Sequence, residues 1–331
     1  MLTWNRVALL REAVESLLRQ EVLPCRIVVI DNASTDETPD FVKQTAKRNP
    51  QVQLIRQAVH VDFCANMLTA INAARTDYFM IMHDDDILDR SCIAYMNAIL
   101  SKDRDISMIC SAQRPFSDSC TCAAMQEDHL TYEVFHSKAD FVAADFARFL
   151  NRQEDSMCFP SILYKKDCVS TEVLRRNLFG KMVDKPFVYD SMGYGGIARL
   201  ETPLYNYRVH GGQDTSTSAN GPYPQEILNL LAAQRRILAN DRFYCRFFEA
   251  LSIRLMKSLY FWGGNPKDGW CDFLKDARKL SLTSSVFDKP WRIPFWRNHS
   301  RAICKKLLKH ALERSTQRTV CRDWANERRR K

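Results

Sequence analysis

The chain has 331 residues, 46% hydrophobic and 26% charged, a globular composition long enough for two or three structural units. No uncharged apolar run approaches the ~18–20 residues of a membrane span, and "MLTWNRVALLREAVE" meets charge too early for a signal-peptide core, so a cytoplasmic protein is expected. The net charge of +9 is unevenly spread: Arg292 to Lys331 hold 13 Lys/Arg against 3 Asp/Glu, which leaves the rest of the chain nearly neutral.

"NRVALLREAVESLLRQ" places Val7, Leu10, Val14, Leu17 and Leu18 on one helical face, with Asn5 as the expected N-cap. A β-branched run, "RIVVI", then leads through the polar turn "DNASTD" into a second helix, "TPDFVKQTAKRN". "VQLIRQ" reads as a strand, "DFCANMLTAINAA" as a helix through Phe63, Met67, Leu68 and Ile71, and "YFMIM" as a strand. Apolar strands alternating with helices imply a doubly wound, mostly parallel α/β sheet. Such a sheet opens with a full strand, yet only Met1 to Thr3 precede the first helix cap. Either that strand is very short, or the natural product starts further upstream with an apolar, β-branched run.

From Cys110 to Gln153 the pattern weakens into loops with a short helix at "KADFVAADFARFL". "CFPSILYKKD" reads as a strand entering a helix, and "IARLETPLYNYRVHGG" as a strand ending in a turn. "GGQDTSTSANGPYP" is linker-like, and the remainder is mostly helical. The 12 cysteines are scattered; Cys120 and Cys122 have no second pair or nearby His ligands, so free thiols are expected rather than disulfides or zinc.

Two polar clusters follow strands, where open α/β sheets bind ligands: "DNASTD" and "HDDD". The first also suits an ordinary turn with a helix cap. The second sets Asp84, Asp85 and Asp86 side by side after an apolar strand, and that much charge needs a cation. Mg²⁺ takes one or two carboxylates together with substrate phosphates, so a metal and a diphosphate would complete the site. No EF-hand loop is present.

"TWNR", "VVIDNASTDET", "FMIMHDDDIL" and "PLYNYRVHGGQDTS", in this order and spacing, resemble the inverting family 2 glycosyltransferases of GT-A fold, of the kind acting in bacterial surface polysaccharide synthesis. The resemblance covers about residues 1–220, divided into a nucleotide-sugar half (1–110) and an acceptor half (111–220), with a helical region at 221–331. It implies Thr3 and Asn5 beside the nucleotide, with Trp4 in place of a Tyr. Asp31 accepts a hydrogen bond from the nucleobase, which suits a UDP- or dTDP-sugar; Asn32 stands where a second Asp is common. "HDDD" resembles the Asp-x-Asp metal motif with His83 at its first position. Asp85 then aligns with the ligand of Mg²⁺ or Mn²⁺, flanked by Asp86, while Asp84 takes over a contact to the ribose. His210 would lie at the metal or diphosphate, and Arg208 would offset diphosphate charge. The base that deprotonates the acceptor hydroxyl is Asp184 or Asp190, with spacing to Tyr207, Arg208 and His210 favouring Asp184; the family's usual Glu-Asp pair is absent.

In the basic segment, Trp291, Phe295 and Trp296 precede a helix with Ile303, Leu307, Leu308 and Ala311 on one face and Arg301, Lys305, Lys306 and Lys309 around it. That suits either a core-facing amphipathic helix or one lying on an anionic membrane surface, as a transferase with a glycan or lipid-linked acceptor would use. No nucleic-acid signature accompanies it. Two rivals remain: a nucleotidyltransferase, which would want a Gly-rich phosphate loop that this chain of ten glycines lacks, and a non-catalytic relative serving as a binding module.

Overall fold

The computed structural model describes residues 1–117, 130–150, 159–176, 178–211 and 224–245, with short pieces at 248, 252, 305–306, 309–311, 313 and 318–321. The linker-like stretch beyond Gly211, Cys120 and Cys122, and most of the basic segment lie outside these residues.

The first half alternates as expected: β1 (Leu2–Thr3), α1 (Val7–Leu18), β2 (Ile27–Asp31), α2 (Thr38–Arg48), β3 (Val52–Arg56), α3 (Phe63–Ala73) and β4 (Tyr78–Met80). Helix α1 buries Leu10, Ala13, Val14 and Leu17, the spacing of one helical face, while Val7 and Leu18 are only half-buried. Asn5 is not its cap. Arg6 occupies that position without a side-chain bond, and the Val7 N–H is satisfied from outside by Asp36 Oδ2 at 3.1 Å. In α3 the Asp62 carboxylate accepts from Ala65 N at 2.8 Å, an N-cap bond.

The second half has more regular structure than its sequence suggested. β5 (Ile87–Leu88) and α4 (Cys92–Lys102) lead to β6 (Ile106–Phe116), followed by β7 (Leu130–Phe135) and α5 (Lys138–Leu150). Then come β8 (Ile162–Lys165), α6 (Glu172–Arg176), α7 (Asp184–Asp190), β9 (Gly196–Arg208), α8 (Pro224–Leu238) and a short β10 (Arg318–Cys321). β6 alternates poorly because it lies inside the sheet, buried on both faces from Ile106 to Ala112.

β1, β2 and β3 pair in parallel, and Leu2 also bridges in parallel to His83, with Leu2 N donating to Met82 O at 3.1 Å. This joins the three-stranded part to the order β4-β8-β6-β9-β7-β10. Strands β8 and β7 run against their neighbours, whereas β6 and β9 are parallel, so the sheet is mixed beyond β4. Helices cover both faces. One core gathers Leu10, Val42, Tyr95 and Ile99 from α1, α2 and α4; the other gathers Met67, Phe141, Phe187 and Leu231 from α3, α5, α7 and α8.

A cavity of about 470 Å³ opens where β2 and β4 begin, lined by apolar side chains including Leu17, Val28, Ile30, Met80, Met96 and Leu100. None of the acidic residues at the strands' far ends lines it. Among the described residues no helix is long and apolar enough to cross a membrane. The described cysteines are free thiols, and burial raises the pKa of Cys92 and Cys110.

Candidate active site

The site forms where β1, β2, β4 and β9 end on one edge of the sheet. After β4 the chain runs through His83–Asp86 and turns back, because β5 pairs antiparallel with β9 through Ile87–Asn206 and Leu88–Tyr205. That hairpin-like return lays the acids against the end of β9. Asp86 is fully buried there, with Oδ2 accepting from Tyr205 OH at 2.6 Å and Oδ1 from Arg208 N at 2.9 Å. Asp85 Oδ2 lies 3.2 Å from His210 Nε2 and 3.3 Å from Arg6 Nη1. Asp84 Oδ1 lies 3.4 Å from the same Arg6 nitrogen.

Burial pushes the Asp84 carboxyl above the usual carboxylate range, with Thr3 and Arg6 pulling the other way. It does the same to Asp86, opposed by His83 and reinforced by the charge of Asp85. Three buried polar atoms here also lack a hydrogen-bond partner: Thr3 Oγ1, His83 Nε2 and Asp84 Oδ2. Ligand atoms of His83, Asp85 and Asp86 lie within 4.8 Å of one another. Carboxylate oxygens with one imidazole suit Mg²⁺ or Mn²⁺, and buried polar atoms without a hydrogen-bond partner at the same place leave room for such a ligand. The residues fit such an ion.

Other expected residues are placed differently. Asp31 is fully buried, accepting Ser34 N at 3.0 Å through Oδ1 and facing Arg56 Nε at 3.2 Å through Oδ2. Asn32 spends both ends of its amide on Val61, donating to Val61 O and accepting from Val61 N, each at 2.9 Å. Its visible work is to hold the loop of His60 rather than to face a nucleotide. Asn5, in the left-handed region at φ 51°, accepts from Thr35 N at 2.7 Å, so it pins β1 to the "DNASTD" turn. Arg208 was expected at the diphosphate. Instead its guanidinium is buried, donating to Glu12 Oε2 at 2.6 Å and Asp85 O at 2.7 Å, over the Phe116 ring at 4.7 Å. It braces the acidic loop against α1 through Glu12 and Asp85.

The two candidate bases are separated. Asp184 opens α7, and its carboxyl is pushed up by burial, pulled down chiefly by Lys185 and also by His83 across the site. Lys185 donates to Asp145 at 2.8 Å, anchoring that end of α7 to α5. Asp190, at the other end of α7, is exposed among Lys138, Arg236 and Arg176. The sequence reading missed Arg6, Glu12, Tyr205 and His60. Arg6 and Tyr205 carried a signal, through their places in "TWNR" and "PLYNYRVHGGQDTS". His60 packs against the half-exposed Trp4 at 4.4 Å between ring centroids, the rings tilted by 45°, which makes an aromatic rim beside Asp31 and Asn32.

The Glycosyl transferase family 2 model matches residues 1–162. A putative glycosyltransferase of Bacillus subtilis, EpsH, is 23% identical over 62% of this chain and 59% of its own length. An uncharacterized glycosyltransferase of Haemophilus influenzae is 20% identical over 64% of this chain and 65% of its own length. The chain thus spans less than two thirds of either relative. Among solved structures, a fragment of S. aureus TarS in complex with UDP-GlcNAc shares 15% identity, with a TM-score of 0.57 over 94% of this chain and 89% of that one. That likeness supports the GT-A type of fold expected from the motifs. Residues 1–162, which carry Thr3, Asp31 and the whole His83–Asp86 stretch, are thus similar to glycosyl transferase family 2.

Proposed function

We propose that the protein is a glycosyltransferase. It moves a sugar from a nucleotide-diphosphate sugar, a UDP- or dTDP-sugar, to a hydroxyl of a glycan or lipid-linked acceptor with inversion. The observation that carries this reading is the acidic site at the strand ends, whose orphaned His83 Nε2 and Asp84 Oδ2 stand beside Asp85 and Asp86 in a family 2 domain. TarS, of the same fold, is solved with UDP-GlcNAc, which supports a nucleotide-sugar donor here.

Each residue then has work to do. Asp85, with His83, Asp86 and His210 around it, would hold a Mg²⁺ or Mn²⁺ ion, which when bound would supply positive charge to offset that of the diphosphate. The base of the nucleotide rests at the Trp4–His60 rim and is read by Asp31, once Arg56, half-exposed, yields its place on Oδ2. Asp84 and Thr3 face the ribose. Asn5, Asn32 and Arg208 position these groups rather than touch the reacting atoms. Asp184 takes the proton of the acceptor hydroxyl; the oxygen attacks the anomeric carbon from the face opposite the nucleotide, and the bond to the diphosphate breaks with its electron pair going to the phosphate oxygen. A raised carboxyl pKa makes Asp184 a stronger base than a solvated Asp.

The basic segment is assigned to peripheral contact with an anionic membrane at the cytoplasmic face. Its described part has Lys305, Lys306 and Lys309 exposed, while Ala311 is buried and His310 stacks on Phe243 at 4.0 Å. The decisive experiment is a transfer and donor-hydrolysis screen over nucleotide sugars with Mn²⁺ and Mg²⁺, extended to lipid-linked glycans. Turnover of one donor that is lost in Asp85→Asn supports the reading; no turnover with any donor and acceptor, in a protein that melts cooperatively, would sink it.

A further inference from the structure

His83 stands between two aromatic rings at the acidic site. Its ring centroid lies 6.3 Å from that of Phe63, edge-on at 82°, and 6.1 Å from that of Phe159, tilted at 41°. These are the separations of packed aromatic pairs. Phe159 is buried and packs in turn on Phe187 of α7 at 5.9 Å, so one wall of the slot belongs to the core. The main chain is tied down as well, because Leu2 of β1 bridges in parallel to His83. The imidazole is thus held by its surroundings, yet its Nε2 is buried without a hydrogen-bond partner. A ring nitrogen of His83 and one oxygen each of Asp85 and Asp86 lie within 4.8 Å of one another. An unpaired buried polar atom is costly, and this one stands beside two carboxylates.

We propose that His83 is a direct nitrogen ligand of the bound ion and the residue that makes the site select a first-row transition ion such as Mn²⁺ over Mg²⁺. The inference rests on the metal-dependent reading above and narrows its choice of ion. Mg²⁺ is hard, takes oxygen ligands in near-ideal octahedra and gives up its water reluctantly. A ring nitrogen is a poor partner for it, and a ring packed between Phe63 and Phe159 has little room to swing aside for a water. The series from Mn²⁺ to Zn²⁺ accepts imidazole together with carboxylate. Carboxylates alone serve Mg²⁺ and Mn²⁺ alike, so the imidazole breaks an equivalence that three acids by themselves would keep. Coulomb attraction cannot discriminate here, because both ions carry the same double charge. A neutral imidazole beside Asp84, Asp85 and Asp86 spares the site a fourth negative group and adds a donor atom that one ion uses better than the other. Selectivity is that difference of affinities.

The test follows Mn²⁺ on the full-length chain by electron paramagnetic resonance, with UDP present and no sugar donor, and titrates Mg²⁺ against the bound Mn²⁺. Modulation of the electron spin echo by a ligating nitrogen should be present in the wild type, persist in His210→Gln and vanish in His83→Gln. His83→Asp restores an all-oxygen site, and Mg²⁺ should displace its Mn²⁺ at a concentration about tenfold or more lower than in the wild type. Even outer-shell partners change metal affinity by about 10- to 100-fold, and a direct ligand should do no less. Nitrogen modulation absent from the wild type, or lost in His210→Gln, would overturn the inference while leaving the metal reading in place. So would an unchanged Mg²⁺ requirement in a His83→Asp protein that still binds Mn²⁺. The wild type and His210→Gln decide the ligand even where the His83 variants fail to fold. Absence of Mn²⁺ binding in every arm, in protein that melts cooperatively, would remove the metal reading of the site and this inference with it.

Discussion

Two buried clusters of charge lie in this molecule, and they differ in how they are completed. Between β7, α5, α7 and β9, Glu133 Oε2 accepts from Arg148 at 3.0 Å and lies 3.8 Å from Arg199, while Asp145 Oδ2 accepts from Lys185 at 2.8 Å and Tyr189 OH at 3.1 Å. Cations outnumber acids, and burial lowers the pKa of Arg148 more than Glu133 raises it. At the strand ends the balance is reversed. Among the described residues, Asp84, Asp85 and Asp86 face the part-exposed Arg6 guanidinium and the His83 and His210 imidazoles, and polar atoms are left over. In a low dielectric both arrangements are costly, but the first leaves none of its charged groups with a buried polar atom lacking a hydrogen-bond partner, whereas the second does.

The largest effect expected from breaking this contrast is chemical. Asp184→Asn should reduce transfer by about 10²–10⁴-fold while nucleotide binding persists, and Asp190→Asn should turn over normally. Steady-state kinetics with the donor found in the screen would reveal a reversed assignment if Asp190→Asn were the inactive variant.

Next comes the first cluster. Lys185→Met removes the ammonium that donates to the buried Asp145, which should cost about 3–5 kcal/mol in denaturant unfolding. A loss well under 1 kcal/mol would mean that Asp145 is satisfied without Lys185.

A smaller gain should follow from filling the apolar cavity where β2 and β4 begin. A Val-Ser-Val-Ile-Ile extension ahead of Met1 buries side chains worth about 1.5–3 kcal/mol each before the cost of ordering them. The melting temperature should rise by several degrees, and UDP should bind more tightly because Thr3 and Asn5 become better fixed. No change in either would show that the cavity does not accept a strand.

The smallest effect lies in the cluster at the strand ends. Asp84 has a folded pKa raised above 3.8, so its ionisation opposes folding: its contribution is favourable below pH 3.8 and is lost as pH rises through the raised value. Asp84→Asn should therefore match or exceed the wild type by up to about 1 kcal/mol at neutral pH, with the difference vanishing toward pH 4. A variant clearly less stable at pH 7 would mean that the ion pair with Arg6 outweighs the burial of the acid.

Local sequence determined much of the first half. Helical spacing in α1 to α3 and β-branched strands are nearest-neighbour properties, and they came out within a residue or two, whereas the expected Asn5 cap did not and the Asp62 cap of α3 was not foreseen. The motif stretches also carried enough spacing to place Thr3, Asp31 and the three acids at strand ends. The second half was less legible, because β6 is buried on both faces and shows no alternation, and α4 was overlooked beside the acidic motif. Chain order said nothing about which cation would reach which acid. Arg6 meets Asp84 and Asp85 across 78 and 79 residues, and Arg208 meets Glu12 across 196. The same holds for Asp184 and Asp190, equally acidic in sequence but at opposite ends of one short helix, one turned toward His83 and the other toward Lys138. Residue type and spacing determine which groups are available and on which element. Only the packing of α1, α7 and β9 on the sheet decides their separations, and electrostatic partnership falls off within a few ångströms.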